Sequence, residues 1–128
     1  MDRKLTVEYW MAKNVEVADK DESVLSACRK MAGKKIGSVV VVDDKYRPIG
    51  IFTERDLVKK VVAMGFNARD MKIKDVMARN VITINVYDDY VSASKMVRDR
   101  DIRHLPVVDE FGVLVGIISV RDLRKVIE

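Results

Sequence analysis

The sequence is poor in the residues that build covalent, metal or membrane-spanning frameworks. Its 128 residues hold one cysteine, one histidine, one tryptophan and two prolines, and only 6% are aromatic. The single thiol, Cys28, excludes an internal disulfide and fits a reducing compartment. With His104 as the only imidazole, no Cys/His/Asp/Glu group has metal-ligand spacing, so no metal site is expected. No apolar run approaches the ~20 residues of a membrane span. The N-terminal MDRKLTVEYW lacks the apolar core of a signal peptide, so a cytoplasmic protein without membrane contact is expected. Also missing are a Gly-rich phosphate loop and a dinucleotide fingerprint. No nucleophile–base pair and no paired carboxylates emerge. No enzyme, no catalytic residue and no cofactor are expected.

What is present is an ordinary globular composition, 48% apolar and 34% charged, enough to bury a core without staples. The formal net charge is +4 and the isoelectric point about 9.2. Lysine and arginine alternate with aspartate and glutamate, which reads as a mixed solvated surface rather than a basic stripe for nucleic acid.

The chain also says one thing twice. GIFTERD (Gly50 to Asp56) returns as GIISVRD (Gly116 to Asp122), 66 residues on. The same offset carries Met11 onto Met77, Asn14-Val15 onto Asn80-Val81, Ser26-Ala27 onto Ser92-Ala93, Ile36 onto Ile102 and Val41-Val42-Asp43 onto Val107-Val108-Asp109. About a third of the aligned pairs are identical, which marks a duplication. Two domains are expected, 1–66 with its N-terminal segment and 67–128.

Each copy has one grammar. A short extended start (NVEVA, NVITI) is followed by a polar stretch (DKDES, YDD) that supplies helix N-caps. The helix that follows aligns Val24, Ala27, Cys28 and Met31 on one face, and Tyr90, Ala93, Ser94 and Val97 in the second copy. SVVVV and HLPVV read as strands covered on both sides. A turn and a second strand then lead into a helix at ERDL or VRDL. The pattern predicts an α/β fold of two β-α-β-β-α repeats. MGFNARDMKI, from Met64 to Ile73, joins the copies and is too structured in composition for a flexible linker.

Thr53 and Asp56 flank a predicted strand-to-helix junction, and two readings fit them equally. One is a capping box, with Thr53 as N-cap and an acid three residues on. The other is a ribose site. A short carboxylate accepts hydrogen bonds from the vicinal 2′- and 3′-hydroxyls, the Thr53 hydroxyl joins it, and a helix N-terminus with a nearby arginine favours phosphate.

The duplicated pattern resembles a CBS-domain pair, or Bateman module, standing alone. The resemblance covers nearly the whole chain and is carried by DVMARNVITI, IRHLPVVDEFGVLVGIISVRDL, YWMAKNVEV and IGSVVVVDDKYRPIGIFTERDL. It implies tandem CBS domains forming a pseudo-two-fold module with two clefts between the repeats. Many such pairs are regulatory sensors of AMP, ADP, ATP or S-adenosylmethionine. The family's ribose motif (Gly, apolar, any, Thr/Ser, any, any, Asp) is matched by Gly50, Ile51, Thr53 and Asp56, and by Gly116, Ile117, Ser119 and Asp122. The resemblance implies one ribose at Thr53 and Asp56 and another at Ser119 and Asp122. It also implies that Val15 to Val17 and Val81 to Thr83 line the adenine, and that Ile36, Gly37 and Ser38, with Ile102, Arg103 and His104, complete the pockets. Arg103 and His104 are suited to phosphates, whereas Gly37 and Ser38 are not, so the clefts are unequal. Pro106 is typical of the family, and Val40 stands in its place in the first copy.

The remaining residues divide between bland and sharp readings. His104 serves as a backbone-bonded residue at a strand start, or as a phosphate or pH-sensitive contact. Arg55 and Arg121 are surface ion-pair residues or phosphate contacts. Cys28 reads as core and Trp10 as a packing anchor or dimer contact. The expected protein is a regulatory sensor of an adenosyl ligand, a homodimer through the helix from Asp56 to Ala63 and its counterpart after Asp122, acting on an unknown effector protein. The rival classes are a ligand-free scaffolding module and, less favoured, a nucleic-acid-binding CBS protein, whose affinity would fall steeply with salt.

Overall fold

The computed structural model describes residues 5–120. The elements follow the duplicated grammar. α1 (Val7–Trp10) precedes β1 (Val17–Asp19), α2 (Val24–Lys34), β2 (Ser38–Val42), β3 (Pro48–Thr53) and α3 (Glu54–Asp56), which runs on as a π-helical stretch, Leu57–Val62. Short 3₁₀ turns at Ala68–Asp70 and Ile73–Asp75 structure the joining segment. The second copy then supplies β4 (Ile84–Asn85), α4 (Tyr90–Arg100), β5 (His104–Val108) and β6 (Leu114–Ser119). The helix after Asp122 lies outside the described residues.

Each copy builds a three-stranded sheet with one parallel and one antiparallel pairing, in the order β1-β2-β3 and β4-β5-β6. The central strand reads as an apolar run because it has a neighbour on each edge and is buried along its length. Val39, Val40 and Val41 are fully buried, as are Leu105, Pro106 and Val107. The register shifts between Val41 and Val42 and again between Val107 and Val108, so the bulge is duplicated with the sequence. Ser23 caps α2 by accepting from Ser26 N–H, and Asp89 caps α4 by accepting from Ser92 N–H. Both helices stop at a left-handed residue, Lys35 (φ 56°) and Asp101 (φ 50°), at C-caps where glycine is the usual choice. Of the predicted α2 face, Val24, Ala27 and Met31 are buried and Cys28 is half-buried. Burial pushes the Cys28 thiol above its ordinary value, which suits a packing role.

The packed units cut the chain differently from the repeat. One compact unit is 16–81; the other is 1–15 with 82–128. The first unit is completed by residues that open the second repeat. Ile73 and Val76 are buried in its core with Phe52, Val61 and the α2 face. Ala78 pairs with Ile51, and Ile73 N–H donates to the Glu22 carbonyl at 2.8 Å. The second unit is completed in the same way from the N-terminal segment. Val7 is buried beside Ile84, Ala93, Leu105 and Ile118, Ala12 pairs with Ile117, and Val7 N–H donates to the Asp88 carbonyl at 3.0 Å. The duplicated segment at the head of each repeat therefore packs against the other repeat's sheet. Trp10 is half-buried in this segment and meets Tyr9 edge-on at 5.1 Å.

Candidate functional site

The candidate site of unit 16–81 grows from the end of β3. Thr53 is the last residue of the strand and the N-cap of the helix, with extended backbone (φ −121°). Asp56 sits one turn on, and the capping box is complete. The Thr53 hydroxyl accepts from Asp56 N–H at 3.2 Å, and Asp56 Oδ2 accepts from Thr53 N–H at 3.0 Å and from the Thr53 hydroxyl at 3.2 Å. The other oxygen, Oδ1, faces Lys60 Nζ at 3.2 Å, and Lys60 also donates to the Val76 carbonyl at 3.1 Å. A carboxylate offers about four lone-pair sites. Two on Oδ2 and one on Oδ1 are engaged, which leaves one acceptor position on Asp56. Cap and ligand clamp are thus compatible at the level of atoms, the two readings of this spacing being additive.

The sheet register brings further predicted residues to this corner. Ser38, the one buried polar residue among those described, pairs directly with Thr53. Gly37 is tied to the helix start, its carbonyl accepting from Glu54 N–H at 3.1 Å. Ile36 is half-buried just before, Val17 is half-buried on β1 beside Val40, and Arg55 is exposed on the turn between Thr53 and Asp56. Val81, half-buried, ends this unit. Val15 falls in the other unit.

Unit 1–15 with 82–128 repeats the strand end of this corner. Ser119 ends β6 and pairs with His104, and Val120 N–H donates to the Arg103 carbonyl at 3.0 Å. Ile102 and His104 are half-buried, Arg103 is exposed, and half-buried Thr83 precedes β4. Arg121 and Asp122 lie outside the described residues.

Sequence reasoning missed two participants. Lys60 had a readable signal, since it lies four residues beyond Asp56 on a helix. Glu54 had none, because its place beside Gly37 depends on tertiary folding. The motif glycines were read as part of the ribose pattern, yet each is a seat for a methionine. A Cβ on Gly50 would stand 2.3 Å from Met77 Sδ, and one on Gly116 2.4 Å from Met11 Sδ. Among the described residues, no group of three or more His, Cys, Asp or Glu could hold a metal ion, and no helix is long and apolar enough to cross a membrane.

The chain matches the family profile of the CBS domain twice, over residues 7–63 and 73–128. It is 39% identical over 124 residues to MK0525, an uncharacterized protein of Methanopyrus kandleri, covering 97% of this chain and 63% of that one. The chain spans between 53% and 66% of the length of the first three curated relatives it matches. The CBS-domain-containing protein ATU1752 of Agrobacterium tumefaciens superposes with a TM-score of 0.85 at 31% identity, over 96% of this chain and 99% of that one. The CBS domain pair of MJ0100, solved in complex with 5′-methylthioadenosine and S-adenosyl-L-methionine, superposes with a TM-score of 0.84 at 25% identity, over 95% and 94%. The two profile matches, which together span most of the chain, and the two three-stranded sheets within them identify this chain as a member of the CBS-domain family carrying two CBS domains in tandem.

Proposed function

We propose that this chain is a non-enzymatic regulatory module that binds an adenosine-containing ligand, an adenine nucleotide or S-adenosylmethionine. Thr53 and Asp56 grip the ribose of one ligand, and Ser119 and Asp122 that of another. The observation that carries this reading is the Thr53–Asp56 corner. It holds a short carboxylate with a remaining acceptor position, next to a hydroxyl, and a buried Ser38 in register with it. A vicinal diol needs such acceptors, as the acidic residues of dinucleotide folds illustrate. Val17, Ile36 and Val81 of the same unit supply apolar surface for the base, as do Val15, Thr83 and Ile102 in the other. Arg55, Gly37, Arg103, His104 and Arg121 border the two riboses. The adenosyl ligands of MJ0100 support the ligand class.

Ligand binding biases the module between two arrangements that a partner protein senses, and the coupling is limited to the ligand's differential affinity for them. Val58, Val62, Met64 and Phe66 follow Asp56 and are each more than half exposed. They form the interface of a homodimer, a reading that a monomeric mass in sedimentation at micromolar concentration would refute.

The test is calorimetric titration of AMP, ADP, ATP and S-adenosylmethionine into the protein and its Asp56→Ala, Asp122→Ala variant, with melting curves of both. Binding by the parent and none by a folded variant is the expected result. No heat and no shift in Tm with any ligand overturns the reading and leaves the scaffold and nucleic-acid classes.

A further inference from the structure

The β5–β6 turn end of the second sheet presents two exposed aromatic rings, Tyr87 (67% exposed) and Phe111 (74% exposed). Three segments of unit 1–15 with 82–128 meet there. Val86 N–H donates to the Val108 carbonyl at 2.8 Å, and Val7 N–H donates to the Asp88 carbonyl at 3.0 Å. Asp109 closes the turn, its Oδ1 accepting from Phe111 N–H at 2.8 Å and from Val113 N–H at 3.0 Å. The rings stand among acids. Glu110, through a hydrogen bond first and its charge second, holds the Tyr87 phenol above its ordinary value, with Asp109 and Glu8 adding to the effect. Glu8, Asp88, Asp109 and Glu110 have no ion-pair partner among the described residues. The chain has no lysine or arginine between Arg79 and Lys95, or between Arg103 and Arg121, although its net charge is +4.

The duplication supplies an internal control. At the 66-residue offset, Lys74 stands for Glu8, Asp21 for Tyr87, Asp44 for Glu110 and Lys45 for Phe111. Asp21 is bridged by Lys74 at 3.1 Å and Lys72 at 3.7 Å. The turn of that unit closes in the same way, with Asp43 Oδ1 accepting from Lys45 N–H and Arg47 N–H at 2.9 Å each. The turn therefore needs its aspartate and does not need an aromatic ring after it. One unit meets its charges internally at this end, whereas the other leaves acids and rings open to solvent.

We propose that the Tyr87–Phe111 surface docks an arginine-bearing segment of a partner protein. A guanidinium stacks on an aromatic face and pairs with a carboxylate through a planar fork, and this end offers both side by side. The surface uses none of the residues assigned to the ribose sites, so it stands or falls independently of them.

The test is fluorescence anisotropy of labelled octa-arginine and octa-lysine peptides with the full chain at low salt. The arginine peptide is expected to bind more tightly than the lysine peptide, despite the positive net charge of the protein. Tyr87→Ser, Phe111→Ser should weaken arginine binding by about tenfold and erase the preference, since two exposed cation–π contacts are lost. Glu8→Gln, Glu110→Gln should weaken both peptides and flatten their salt dependence. Asp21→Asn, Asp44→Asn, at the equivalent end of the other unit, should change neither. Melting curves check that the variants, all at exposed positions, remain folded. No binding, or binding that survives loss of both rings, overturns the proposal. Self-association in sedimentation that Phe111→Ser abolishes, without peptide binding, assigns the surface to a second copy and overturns it as well.

Discussion

The seats of the two motif glycines differ in one atom, and that difference predicts two different double-mutant cycles. At Gly50 the three nearest atoms to a new Cβ all belong to the Met77 side chain, at 2.3, 2.8 and 3.1 Å. At Gly116 two belong to Met11, at 2.4 and 2.8 Å, but the third is the Ala12 carbonyl oxygen at 3.0 Å. A flexible thioether can be trimmed, whereas a backbone oxygen held in the Ala12–Ile117 bridge cannot. Gly50→Ala should cost about 1–3 kcal/mol as overpacking against a methionine that is itself packed on the core. Met77→Ala should cost about 1–2 kcal/mol, below the range for a fully buried methionine because Met77 is half-buried. Combined, the two should cost less than their sum by about 1–2 kcal/mol, since the second change removes the obstacle met by the first. The Gly116→Ala, Met11→Ala pair should show a smaller coupling, because the clash with the Ala12 oxygen remains. Urea denaturation measures both. Trp10 fluorescence reports the unit that contains Gly116, and circular dichroism reports the whole chain. Additive costs at Gly50 and Met77, or equal couplings in the two cycles, would refute the reasoning that the methionine is the glycine's reason.

Two further outcomes follow from local geometry. Lys35→Gly and Asp101→Gly each relieve a left-handed C-cap residue and should raise stability by about 1 kcal/mol, seen as a higher Tm in thermal melts; an unchanged or lower Tm for both would contradict the cap assignment. Hydrogen bonds from Ser92, from its backbone N–H first and its side chain second, hold the Asp89 carboxyl below its ordinary value. The folded value is therefore below the unfolded one, so the cap's contribution is complete above the ordinary carboxylate value of 3.8 and is lost as the pH falls through the depressed value. Asp89→Asn keeps a capping acceptor without the titration, and stability measured from pH 5 down to about pH 2 should fall less steeply in this variant than in the parent.

Much of the fold was legible because repetition confirmed each local reading. Ser23 and Asp89 cap α2 and α4 where the polar stretches placed them, and the two apolar runs became central strands with the same bulge. Thr53 and Asp56 were legible as a pair, and their capping box is complete. Their surroundings were not. The bond from Lys60 to the Val76 carbonyl joins residues 16 apart, and the approach of Glu54 to Gly37 spans a hairpin. Periodicity records which face a residue takes, but not which distant segment arrives against it.

The sequence by itself determined the duplicated α/β grammar, the caps, the core faces and the family, because each rests on short-range propensity and a pattern written twice. Only the tertiary structure decided that the segments around Met11 and Met77 complete the opposite repeats and that each motif glycine seats a methionine. The physical reason is that an edge strand and a half-covered core accept any apolar segment of the right shape. Which segment fills them is settled by chain connectivity and close packing rather than by the local sequence of either partner.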